Sequence, residues 1–176
     1  MSPPHSASGR RSLFLLVLSL LLCVLLPAPA QASDREALAR IKLAYLYNFI
    51  KFTYWPSDLT AGFRLCIADD PALAALAEQQ IAGRKLRGQP VVVVAVAASD
   101  AAEGCQLLYS EHGEHPRTDA GVLTVGEGRD FVEQGGMIGF VVVQDRVRFY
   151  IRLDALRQAR LRADAQLLTA ALEVLK

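Results

Sequence analysis

The sequence predicts an α/β fold, a layered sandwich in which a mixed β-sheet is flanked by helices. Three observations carry this: short Val-, Ile-, Leu- and Phe-rich runs interleave with stretches of helical periodicity, no internal repeat is present, and turn-forming Gly, Pro and Asp residues separate the runs. Such a pattern needs a sheet covered by helices to bury its apolar faces.

The chain opens with a segment that is not part of that fold. Met1–Arg11 holds Arg10 and Arg11 and no acid, a mostly apolar run spans Leu13–Leu26, and the small residues Ala28, Ala30 and Ala32 follow. This is the layout of a secretory signal peptide over residues 1–32, cleaved near Ala32, with an apolar core too short to span a bilayer as a settled helix. An uncleaved membrane anchor is the main alternative. Arg10-Arg11 and Cys23 also raise twin-arginine and lipoprotein signals, but the core is greasy for the first, and Leu22 stands where the second wants a small residue. The remainder, residues 33–176, fits one compact domain outside the reducing cytoplasm.

Removing Arg10 and Arg11 from the 19 basic residues leaves 17 against 18 acidic ones. No broad electrostatic attachment to nucleic acid or anionic lipid follows from such a balance. Cys23 leaves with the leader, so the exported part keeps Cys66 and Cys105. An even pair in an oxidising compartment, without Cys-x-x-Cys spacing, reads as one structural disulfide.

Ser33-Asp34-Arg35-Glu36 has the form of a capping box and predicts a helix starting there. Leu38, Ile41, Ala44/Tyr45, Asn48/Phe49 and Phe52 give it an apolar stripe interrupted only by Asn48, and Trp55-Pro56 stops it. Phe63–Ala68 reads as a buried strand. Asp70-Pro71 caps a second helix whose inward face is Leu73, Leu76, Ala77 and Ile81. Gly83–Pro90 reads as a basic loop, and Val91–Val96 as a strand covered on both faces.

Cys105–Tyr109 and Val122–Val125 are further strands, separated by a polar surface loop, Glu111–Asp119. Phe131 and Val132 belong to a short helix ending at Gly135-Gly136. Ile138–Val143 and Val147–Ile151 form a hairpin about Asp145-Arg146. Leu156, Leu161, Leu167/Leu168 and Leu172 predict a closing helix over Asp154–Lys176.

No catalytic constellation emerges: there is no nucleophile elbow, phosphate-binding Gly-rich loop or redox cysteine motif. His112 and His115 share a loop, but their spacing is not that of a helical metal motif, and no metal or cofactor is expected. Asp69-Asp70 ends a strand, where ligands often sit, yet Asp70 already has work as a helix cap.

Two features suit binding. Arg148 and Arg152 lie on the hairpin face opposite Val147, Phe149 and Ile151, fit for an anionic ligand or acidic partner. Tyr45, Tyr47, Phe49, Phe52, Tyr54 and Trp55 crowd one short stretch, and one helix cannot bury them all, so some rings face outward beside Lys51. Asn48, Lys51, Trp55, Arg148 and Arg152 are therefore the candidate contact residues.

Lys42-Leu43-Ala44-Tyr45-Leu46-Tyr47-Asn48-Phe49-Ile50-Lys51-Phe52 with Trp55-Pro56 resembles the opening signature of the YfiR family of periplasmic proteins. Leu65-Cys66-Ile67, Gly104-Cys105-Gln106-Leu107-Leu108-Tyr109, Val122-Leu123-Thr124-Val125, Gly135-Gly136-Met137-Ile138, Arg146-Val147-Arg148-Phe149 and Gln166-Leu167-Leu168 follow in the family's order, so the similarity covers essentially all of the mature chain. The resemblance implies an α/β sandwich, a homodimer, no catalysis and a periplasmic location. It implies binding to the periplasmic domain of an inner-membrane diguanylate cyclase, which is held inactive so that cyclic-di-GMP signalling and biofilm formation fall, and an outer-membrane lipoprotein that sequesters the repressor. The family's cysteine pair maps onto Cys66 and Cys105, while a further pair that some members carry near the hairpin is absent. A reading from a different class is a periplasmic receptor for an anionic or aromatic small molecule.

Overall fold

The computed structural model describes residues 29–55, 62–97, 104–112 and 120–176, with side chains from residue 33. The chain divides after Glu36, and the unit Ala37–Lys176 holds the whole sheet. Residues 1–28 of the expected leader and most of the Glu111–Asp119 loop, with His115, lie outside the described residues. No described helix is long and apolar enough to cross a membrane.

The first helix, α1, runs Pro29–Lys51. It does not begin at Ser33 as the capping box predicts: Pro29 is tolerated in a first turn, and Ala30 and Ala32 favour helix, so Ser33 lies inside it. Its buried face is also rotated from the expected stripe. Leu43, Leu46, Phe49 and Ile50 are buried, whereas Ile41 is 46% exposed and Ala44 and Asn48 face out. The true stripe is centred one to two residues later, which also turns Lys42 inward to an acidic partner described below.

Strand β1 (Thr53–Tyr54) leaves the helix, and β2 (Phe63–Ala68) has the expected bounds. Helix α2 (Pro71–Gln80) is capped by Asp70, whose Oδ1 accepts from the Leu73 amide at 2.9 Å. The expected loop after it is a tight hairpin. Strands β3 (Lys85–Leu86) and β4 (Gln89–Val96) turn at Arg87 and Gly88, both with positive φ. Strand β4 is not covered on both faces: Val92 is 42% exposed, and only two-residue β3 lies beyond it.

Strands β5 (Leu107–Ser110) and β6 (Leu123–Glu127) lead to α3 (Gly128–Glu133), and β7 (Ile138–Val143) and β8 (Arg146–Arg152) form the expected hairpin. The expected C-terminal helix breaks into α4 (Leu153–Gln158), β9 (Arg162–Ala163), α5 (Ala165–Ala170) and β10 (Glu173–Leu175). Two events override its periodicity. Arg160 turns the chain at φ +59°, and residues 173–175 gain a parallel ladder on β8.

The eight-stranded sheet has the order β10-β8-β7-β6-β5-β2-β4-β3, with β4, β2, β5, β6 and β7 parallel and the hairpin partners antiparallel. A separate ribbon pairs β1 with β9. Residues of alternate parity line the two faces. On one, Leu65, Ile67, Leu107, Leu123, Ile138, Phe140, Phe149 and Ile151 meet α1, α2, α4 and α5. Phe49 reaches deepest, its ring centroid 4.9 Å from Phe149 and 5.5 Å from Phe140.

The opposite face is thinner. Cys66, Ala68, Cys105, Leu108 and Val122 form a small second cluster closed by the disulfide Cys66–Cys105. Helix α3 covers the same face further along. It comes so close that a Cβ at Gly139 would overlap the Gly128 carbonyl oxygen, and one at Gly126 would meet the Phe131 ring.

Candidate functional site

Three polar surfaces are built from residues far apart in sequence. The first surrounds the end of α1. Tyr54 is 43% exposed on the β1–β9 ribbon, with the Arg87 guanidinium 5.5 Å and that of Arg162 5.2 Å from its ring centroid. The phenol donates to Asp164 Oδ2 at 2.9 Å, and the Arg87 guanidinium donates to the Thr53 carbonyl, fixing both groups against the ribbon. Asp164 is further held by the Gln166 amide, which with Tyr54 lowers its pKa; the bond to Asp164 raises that of Tyr54. The phenol therefore stays neutral. Two cations on one exposed ring make a platform suited to an acidic or aromatic surface.

Lys51 and Asn48 are exposed near the end of α1, and the Lys51 Nζ lies 4.9 Å over the Phe52 ring. Trp55 is half-buried: its indole N–H donates to the Gly121 carbonyl at 2.9 Å and its ring packs edge-on against Phe63. It anchors the chain after β1. Of the crowded aromatics, Phe49 is wholly buried, Tyr45, Tyr47 and Phe52 are partly so, and Tyr54 faces out.

The second surface is the outer face of the β7–β8 hairpin. Arg148 and Arg152 do lie opposite the buried Val147, Phe149 and Ile151. Arg152, however, donates to the Val132 and Glu133 carbonyls at the end of α3 and pairs with Asp154 at 2.8 Å. Beside it, Arg129 pairs with Glu133 and Glu173 and covers the Tyr150 ring. Most of this charge is answered within the chain. Arg148, half-buried, shares neither pairing.

The third is internal. Glu127 Oε1, at the end of β6, accepts from Lys42 Nζ at 2.9 Å and from the Tyr109 hydroxyl at 2.7 Å. Burial above all, and then the charge of Glu127, push the Tyr109 phenol far above its ordinary pKa, so it remains a donor. The triad ties α1 to the C-terminal ends of β5 and β6 and is a structural latch. It accompanies the rotated face of α1.

Sequence reasoning finds the exposed end of α1 through Asn48, Lys51 and the crowded rings. It misses Arg87 and Arg162 as a pair, because only the ribbon brings them to Tyr54. Among the described residues no cluster of His, Cys, Asp and Glu is arranged to hold a metal ion.

A family model described as YfiR/HmsC-like matches residues 39–171, which is most of the chain and all of the sheet up to β8. No curated protein matches the chain.

Proposed function

The chain belongs to the YfiR/HmsC-like family, periplasmic regulators of diguanylate cyclase systems, and we propose that it binds and represses the periplasmic sensor part of an inner-membrane diguanylate cyclase. The observation that supports this reading most directly is the match across residues 39–171, joined to a surface that suits protein contact rather than chemistry. On this reading the Tyr54–Arg87–Arg162 platform, with Asn48 and Lys51 beside it, meets an acidic or aromatic patch on the partner. Trp55 acts by holding the ribbon from beneath. Arg152 acts by holding α3, and Arg148 contributes a peripheral charge. Homodimerisation, and sequestration by an outer-membrane lipoprotein, extend the same proposal.

Deleting the gene should raise cyclic-di-GMP and surface attachment, and the rise should vanish when the partner cyclase is also deleted. Arg87→Glu combined with Arg162→Glu should weaken repression with export intact and the melting temperature only modestly lowered, since both side chains are exposed and only the Arg87 bond to the Thr53 carbonyl is lost. Unchanged nucleotide levels in the deletion strain, with the cyclase expressed, would defeat the repressor reading.

A further inference from the structure

The groove between α1 and α2 has a construction that, Asn48 apart, none of the contacts above uses. It is about 340 Å³ in volume, near the lower end of the range for small-molecule sites. Its floor is apolar, formed by Leu43 and Ile81, both buried. One wall is the ridge Arg40, Ala44 and Asn48 on α1, spaced four residues apart, where the small Ala44 leaves the opening. The other is Gln80 and Arg84. Among the described residues no carboxylate lines it.

Arg84 is held in place from both sides. Its amide donates to the Ile81 carbonyl at 3.1 Å and its carbonyl accepts from the Val91 amide at 2.8 Å, so the backbone is pinned between α2 and β4. Its guanidinium lies 5.5 Å from the centroid of the Tyr47 ring. A cation–π contact consumes none of the guanidinium's N–H donors, which stay available to an oxyanion, and no carboxylate among the described residues pairs with Arg84. The Asn48 and Gln80 carboxamides add donors on both walls.

We infer that this groove binds a small organic oxyanion, a carboxylate or phosphate on a short apolar body, with the body over Leu43, Ala44 and Ile81 and the anion at Arg84. The inference stands on the geometry of the groove and is independent of the cyclase reading. It also makes Asn48 common to the groove and to the exposed end of α1, so an occupant would lie against the helix that carries the proposed contact surface.

The test is titration of the exported protein, followed by NMR, with three probes of one shape: phenylacetate, phenyl phosphate and phenethylamine. Binding of either anion, with the amine silent, is the expected result, and the anion that binds identifies the headgroup. Arg84→Gln should weaken it about tenfold or more, the loss of one charge-assisted contact. Ala44→Leu, at an exposed helical position, should fill the groove and abolish binding with the melt unchanged, whereas Arg157→Gln, an exposed arginine outside the groove, should bind as the parent does. Failure of both anions to bind, equal binding of the amine, or parental affinity in Arg84→Gln and Ala44→Leu would overturn the inference.

Discussion

The two faces of the sheet are held by different means. On the α1 face, Phe49, Phe140, Phe149 and Tyr45 pack ring against ring over a continuous layer of aliphatic side chains. On the other, a five-residue cluster is closed by a covalent bond, one short helix is seated on glycines, and exposed ion pairs finish the rim. The first face gains stability by burial, which tolerates no unpaired charge. The second depends on cross-linking and close approach, which tolerate no slack.

Breaking the first face should have the largest effect. Phe49→Asp or Leu46→Asp places a carboxylate at a fully buried position, a loss of about 4 kcal/mol or more, enough to unfold many domains of this size. Thermal melts of both variants matching the parent would show that α1 does not pack as described. The latch offers a milder probe of the same face: Lys42→Met should cost less than Glu127→Lys, which sets two cations together.

Next comes the disulfide. It spans 39 residues and joins Cys66 on β2 to Cys105 just before β5, with Cα atoms 5.9 Å apart. In the chain-entropy account its loss raises the freedom of the unfolded state by about 4 kcal/mol. The double variant Cys66→Ser/Cys105→Ser should therefore unfold at markedly lower urea with the slope of the transition altered, because the reduced chain is less compact when unfolded. Peptide mapping of the parent without reductant should recover the linked pair.

Gly139→Ala sharpens the contrast. The added methyl has no room against Gly128, so α3 must shift, at about 1–3 kcal/mol. The same change at exposed Gly88 meets no neighbouring atom, and only its positive φ resists it.

The smallest effect is electrostatic. Arg129 holds Glu173 below its ordinary pKa of 4.5, and Arg152 holds Asp154 below 3.8. Carboxylates depressed in the folded state contribute stability above the unfolded values that is lost as pH falls through the folded ones. Stability should decline slightly below pH 4.5, and Arg129→Gln should flatten that decline. Both groups are exposed, so salt should diminish the difference.

Local chemistry made much of this legible in advance. The Asp70 cap, the β2 run and the alternation of Val147, Phe149 and Ile151 each depend on residues close in sequence, and the structure has them as expected. What was not legible depends on partners far along the chain. Leucine spacing after Asp154 suits a helix, but a free edge on β8 recruits residues 173–175 as a strand. The valine run of β4 looks like a central strand, and only the strand order shows that it lies near the rim. At the candidate site, Asn48 declared itself by interrupting the apolar stripe of a helix, and Lys51 by lying among the crowded rings. Arg87 and Arg162 could not, since nothing local marks either as a neighbour of Tyr54.

The position of β4 carries a cost that its packing does not reveal. Lys85 and Leu86 register only with Pro90 and Gln89, so among the described residues the outer edge of Val92–Val96 has no strand beside it. A proline at the head of the strand and a two-residue hairpin arm are modest guards. Five of the six residues in Val91–Val96 are valine, with no charge and no proline, the composition that stacks into cross-β fibrils when unfolded copies meet. The inner side of this run is protected only once β2 has paired with it, a parallel contact across an intervening helix, the kind whose loop-closure cost slows folding. Aggregation, more than unfolding itself, is thus the hazard that variants weakening β2 or its disulfide expose, and it grows with the concentration of chains awaiting that pairing.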